Sequence, residues 1–174
     1  MAGTMADVWR VWQKQARLGV YPFEYTPYEG DEQAMISLAH MGPPRTQAEH
    51  DEWAEAFMQA AEPYEDRARE AEARHDGKAA RQNYMHAYGL HRMARIPFPR
   101  PGKKQEAYVK SQECILKAFS FDPLPAERVE MPFKGRPGEG DKVVGFLRRP
   151  AGSKPCPVLI GWVGIDTFKE EALH

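Results

Sequence analysis

The chain has 174 residues, 42% hydrophobic and 28% charged, with a formal net charge of −1 and a pI of about 6.6. That balance suits a globular chain of one domain, or one domain plus part of another. No basic stripe dominates, which argues against a nucleic-acid partner. No apolar run approaches the ~20 residues of a membrane-spanning helix, so no membrane partner is expected. The start, "MAGTMADVWRVWQKQ", lacks the basic residues and apolar stretch of a secretion signal. Cys114 and Cys156 form no disulfide framework, and two reduced thiols imply a cytoplasmic protein.

The first two-thirds reads as helices. "ADVWRVWQKQARLG" places Val8, Val11, Trp12 and Leu18 at helical spacing, with Gly19 as the stop. "VYPFEYTPYEGDE" reads as an ordered loop and "DEQAMISLAHMG" as a short helix. At "PPRTQAEHDEW" Thr46 caps and Glu49 follows three residues later, a capping box. Trp53, Phe57, Ala61, Tyr64, Ala68 and Ala71 then share one face, and Pro63 is expected to bend the helix. Gly77 is read as a C-terminal glycine ahead of a new helix. That helix carries Ala80, Tyr84, Ala87, Tyr88, His91 and Ala94 on one face and stops before "IPFPRPG". The last helix, "KKQEAYVKSQECILKAFSF", offers Tyr108, Ile115, Ala118 and Phe119.

The texture changes at "DPLPAE". "RVEMPF" alternates Val129, Met131 and Phe133, a half-buried strand. "KGRPGEGD" is a turn and "KVVGFLRRP" a second strand, which makes a hairpin. "VLIGWV" is an apolar run of buried-strand type. The fold class is therefore α+β, with a helical domain over 1–122 and a strand-rich part over 123–174.

The phrases "FLRRPAGSKPCPVLIGWVGIDTFKEE" and "IPFPRPGKKQEAY" fit this order of elements. The chain resembles the α/β-hydrolases that carry an N-terminal helical cap. That group includes fermentation-respiration-switch-like esterases, dihydroxypseudooxynicotine hydrolases and fungal polyketide-shortening hydrolases. The likeness runs from about the Thr46 helix to the end and is strongest over Val143 to Glu171. One difference stands: Val163 precedes Gly164, where relatives often carry paired glycines.

The resemblance implies a parent α/β fold and a cytosolic serine hydrolase. It would cleave an ester, or a C–C bond next to a carbonyl, in a small aromatic or polyketide-like substrate, with no cofactor. It also implies that 123–174 holds only the first strands of the sheet. The loop after the third strand donates an oxyanion N–H in such enzymes, which carries over to the backbone of Ile165, with Gly164 beside it. The alternative is a plain helix start, since Thr167 and Glu170 form a second capping box. The nucleophile elbow G-x-S-x-G comes later in the family. None of Ser37, Ser111, Ser120 or Ser153 stands in that context, so the chain alone is expected to be inactive.

Tyr84, Tyr88 and His91 share a helix face. The resemblance makes them candidates for contact with substrate, while the spacing alone favours core packing. His86 and His91 are wrongly spaced for one metal on a helix, and no His/Cys/Asp run has zinc spacing. No metal is expected. The rival to the hydrolase reading is a non-catalytic helical module for binding or dimerisation, and a homodimer fits either reading. Val158–Val163 is expected to be poorly packed or paired with another chain.

Overall fold

The computed structural model describes residues 3–96, 100–150, 152 and 157–161. Within them lie five helices and one two-stranded antiparallel sheet, the mixed α+β content the sequence implies. None of these helices is long and apolar enough to cross a membrane.

Helix α1, Met5–Leu18, starts at a capping box between Thr4 and Asp7 and ends at Gly19 in the left-handed region, φ 59°. Its buried residues are Met5, Trp9 and Ala16. Val8 and Trp12 pack at the edge of that face, but Val11 and Leu18 point to solvent. The expected face was turned by roughly one position. Helix α2, Tyr28–Ser37, begins three residues earlier than its sequence suggests. The loop between α1 and α2 is ordered by burial: Phe23 is fully enclosed and meets Trp9 and Trp12 edge-on.

Helix α3, Gln47–Ala73, opens on the Thr46–Glu49 capping box and runs unbroken through Pro63. Trp53, Phe57, Ala61, Ala68 and Ala71 are buried along it. Its end corrects one expectation. The residue in the left-handed region is His75, φ 59°, and Gly77 is instead the first residue of the next helix. Asp76 caps that helix through the N–H of Ala79 at 3.0 Å.

Helix α4, Gly77–Arg95, lies against both α3 and helix α5, Lys103–Ser120. All six residues assigned to its inner face are buried. Burial goes further, and takes in every residue from Ala87 to Arg95. Trp53 donates its indole N–H to the Met93 carbonyl at 2.9 Å, which pins α3 to α4. On the other side Gly89 lets the loop approach. A Cβ there would stand 2.7 Å from the Tyr25 carbonyl carbon and 2.8 Å from the Thr26 nitrogen.

Strands β1, Ala126–Pro132, and β2, Lys142–Arg148, pair from Ala126↔Arg148 to Pro132↔Lys142. Phe146 and Ala126 pack on the α4–α5 core. Arg148 holds the hairpin's open end, with Nε on the Leu124 carbonyl at 2.9 Å and a nitrogen 3.3 Å from Asp122. Opposed residues share a face, and successive residues alternate between faces. Val129, Met131, Val143 and Leu147 therefore lie on the face opposite Phe146. This is the face expected to be half-buried. Val129 is partly covered, but Met131 is 50% exposed, with Phe133 and Val143 each at 43%. No helix of the described residues covers it. The described part of the third apolar run, 158–161, forms no strand, and Leu159 is 96% exposed.

Two outcomes are expected from this packing. Gly89→Ala pushes a methyl into fixed backbone, so stability should fall by about 1–3 kcal/mol, toward the upper end, read as a lowered urea midpoint. Asp31 is fully buried, and Thr26 Oγ lies 2.5 Å from it. Burial pushes its carboxyl up to about 7, against an opposing pull from that hydrogen bond. The folded pKa lies above the unfolded one, so this stabilisation is complete below about pH 4 and is lost as the pH rises through 7. Across that window wild type should lose about 2–4 kcal/mol relative to Asp31→Asn. Urea unfolding of both proteins at several pH values measures the difference.

Candidate functional site

Where α3, α4 and α5 meet, the apolar core gives way to a polar cluster. Helix α3 places Glu65, Arg69 and Glu72 along one edge, spaced i, i+4 and i+7. Helix α5 places Lys110, Cys114 and Lys117 at the same spacing opposite them. Helix α4 contributes Tyr84 and His91 from between. An open cleft of about 520 Å³ lies over them, lined by Glu65, Arg69, Glu72, Tyr84, Glu113, Cys114 and Lys117.

His91 is fully buried, and its Nε2 lies 2.7 Å from Glu65 Oε1. The other ring nitrogen, Nδ1, is buried with no hydrogen-bond partner among the described residues. Glu65 also meets Arg69 at 3.2 Å and Lys110 at 3.4 Å. The His91 hydrogen bond, with help from Lys110 and Arg69, holds its carboxyl down to about 2 despite partial burial. It is therefore a carboxylate at neutral pH. Cys114 is 6% exposed, and burial beside Glu65 pushes its thiol up to about 12. A neutral thiol is a poor nucleophile.

At the far end of the cleft Tyr84 donates to Glu72 at 2.8 Å, and Lys117 pairs with the same carboxylate at 2.8 Å. The Tyr84 ring stacks on Phe121, 6.3 Å between centroids and 13° from parallel. Burial, then Glu72, raises the Tyr84 hydroxyl to about 12, so it stays protonated. Three carboxylates and two exposed cations give the rim a mixed charge.

Of the three α4 residues considered for substrate contact, Tyr84 alone lines the cleft. Tyr88 is enclosed in the α4–α5 core, and His91 sits beneath the cleft floor against Glu65. Gly164 and Ile165, the candidates for an oxyanion donor, lie outside the described residues. Ser37, Ser111 and Ser120 each donate to a carbonyl of their own helix, those of Ala34, Tyr108 and Lys117. None is poised as a nucleophile. The sequence reading missed Glu65 and Cys114, which are separated from His91 by more than twenty residues on either side. The available signal was a polar residue at the margin of each apolar face.

Removing the carboxylate should expose what it does. Glu65→Ala leaves a buried imidazole without its partner and should cost about 2–3 kcal/mol. Glu65→Gln keeps an acceptor near Nε2 and should cost clearly less. Thermal unfolding at neutral pH ranks the two.

The chain's own chemistry has to carry the functional reading, because no protein-family model matches it and no curated protein does.

Proposed function

We propose that the chain supplies the helical cap and the opening strands of a serine α/β-hydrolase. The enzyme would cleave an ester, or a C–C bond next to a carbonyl, in a small aromatic or polyketide-like substrate. The observation that carries this reading is the hairpin. It follows the helical layer in chain order, docks one face through Phe146 and Ala126, and presents an apolar opposite face. Sheets of α/β enzymes bury both faces, so an uncovered apolar face suits strands that belong to a larger sheet. The exposed Val158, Leu159 and Ile160 suit a third strand whose neighbours are elsewhere.

In this reading the cap roofs the reaction centre. The resemblance assigns the role of oxyanion donor to the backbone N–H of Ile165, with Gly164 beside it. One such donor is worth roughly 2.7–4 kcal/mol of transition-state stabilisation. The chain itself holds no G-x-S-x-G, so it has no elbow serine to attack with. The same exposed residues favour one rival, a non-catalytic module in which Val158–Ile160 pairs with a second copy.

A fluorophosphonate probe separates the two. The natural gene product should be labelled on a serine within G-x-S-x-G, while residues 1–174 alone should stay unlabelled. The 174-residue chain should also hydrolyse p-nitrophenyl esters no faster than buffer. An unlabelled natural product, or ester turnover by residues 1–174 that is lost when Ser37, Ser111, Ser120 or Ser153 is replaced, overturns the proposal.

A further inference from the structure

We infer that Glu65, His91 and Cys114 form a binding site for a zinc-class divalent cation, with its open coordination position facing the cleft. Each residue comes from a different helix, and one donor atom from each lies within 4.8 Å of the other two. The donor set is a carboxylate oxygen, an imidazole nitrogen and a sulfur. That mixture of hard and soft donors suits zinc, whereas magnesium and calcium take oxygen alone.

The distances fit after small side-chain movements. Bonds of about 2.0–2.3 Å arranged tetrahedrally put donors about 3.3–3.7 Å apart. The 2.7 Å contact between His91 Nε2 and Glu65 Oε1 would open by under ~1 Å, and the wider separations would close by about the same. His91 can offer either nitrogen: Nε2, now on Glu65, or Nδ1, buried and without a hydrogen-bond partner among the described residues. A buried polar atom left unsatisfied calls for an explanation, and an ion is one of the few kinds available.

The surroundings suit an ion with one free position. Glu65 and Cys114 line the cleft while His91 lies beneath it. Three protein ligands and one open side are the arrangement of zinc sites that also bind water or substrate. On binding, the Cys114 thiol gives its proton to solvent and the sulfur bonds as thiolate. The His91 nitrogen bonds through its lone pair, and the ring's proton sits on the other nitrogen. Arg69 and Lys110, which now meet Glu65, are 57% and 36% exposed at their side chains and can swing into water. The site lies wholly in the helical part, so it does not depend on the hydrolase reading.

Cobalt(II) titration of residues 1–174 tests the site. The expected result is one equivalent bound, with visible bands of tetrahedral intensity and a near-ultraviolet thiolate-to-cobalt band. Cys114→Ser should lose the thiolate band, His91→Gln should weaken binding by about tenfold or more, and Cys156→Ser should match wild type. A thiolate band absent from wild type, kept in Cys114→Ser or lost in Cys156→Ser overturns the assignment. Should Cys114→Ser fail to fold, X-ray absorption of the zinc-loaded wild-type chain decides. One sulfur at about 2.3 Å supports the site, and no sulfur or two sulfurs refutes it.

Discussion

The fold depends on burying a helix that is not uniformly apolar. From Ala87 to Arg95 every residue of α4 is buried, yet the run includes His91, Arg92 and Arg95. Burying such groups costs several kcal/mol each unless they are hydrogen-bonded or paired. Each neighbour of α4 is therefore tied to it at a polar anchor. Helix α3 brings Glu65 to His91 and the Trp53 indole to the Met93 carbonyl. The loop before α2 brings the Pro22 carbonyl to Arg92 at 2.7 Å, with Glu24 3.3 Å from the same guanidinium. Helix α5 sets Tyr108 under the Arg95 guanidinium, 5.7 Å from the ring centroid. Lys104, also buried, donates to the Ile96 carbonyl just past the end of α4. Hydrophobic area supplies most of the driving force, but these anchors fix the register in which the helices meet.

Much of this was legible in the sequence because it is local. The Thr46–Glu49 box, the Gly19 stop and the stripe from Trp53 to Ala71 depend on residues within a turn or two of one another. Failures fell where a local pattern had two physical solutions. In "ARHDGK" either His75 or Gly77 could take the left-handed turn. Glycine is the lower-cost choice for φ above zero, but Asp76 caps best with the helix starting straight after it, which leaves the turn to His75. In α1 two overlapping faces compete, and the indole of Trp9, stacked 5.8 Å from Tyr28, wins over Val11 and Leu18. The polar cluster was illegible for another reason. Glu65, His91 and Cys114 become neighbours through the packing of three helices, and no sequence period encodes that.

The hairpin sets a different constraint. Alternation in "RVEMPF" identifies an apolar face correctly, but alternation cannot say what covers it. Phe146 and Ala126 take the place against the helices, and Arg148 fastens the strand ends to Asp122, which also holds Arg81. That attachment leaves Val129, Met131, Val143 and Leu147 on the other side. A two-stranded ribbon is marginal by itself in water, so its persistence here depends on the docked face. The open face leaves apolar area available to a further layer of structure.

The cluster under the cleft can be weighed against what might have stood there. Ala68, Ile115 and Ala118 show that apolar side chains fill the same three-helix seam a turn away. Replacing a buried ion pair by packed hydrophobic residues is often neutral or stabilising. Apolar residues could therefore also fill this seam, although here the Glu65–His91 pair is one of the anchors that set how the helices meet. Among the described residues it leaves a buried nitrogen without a hydrogen-bond partner, and it stands beside a thiol that makes no disulfide with any of them. Ionisable groups with strongly shifted pKa values, such as Glu65 and Cys114 here, are enriched at clefts that bind or react, and structural ion-pair networks show such shifts as well. The cluster lies wholly within α3, α4 and α5, so its chemistry can be tested apart from that of the hairpin.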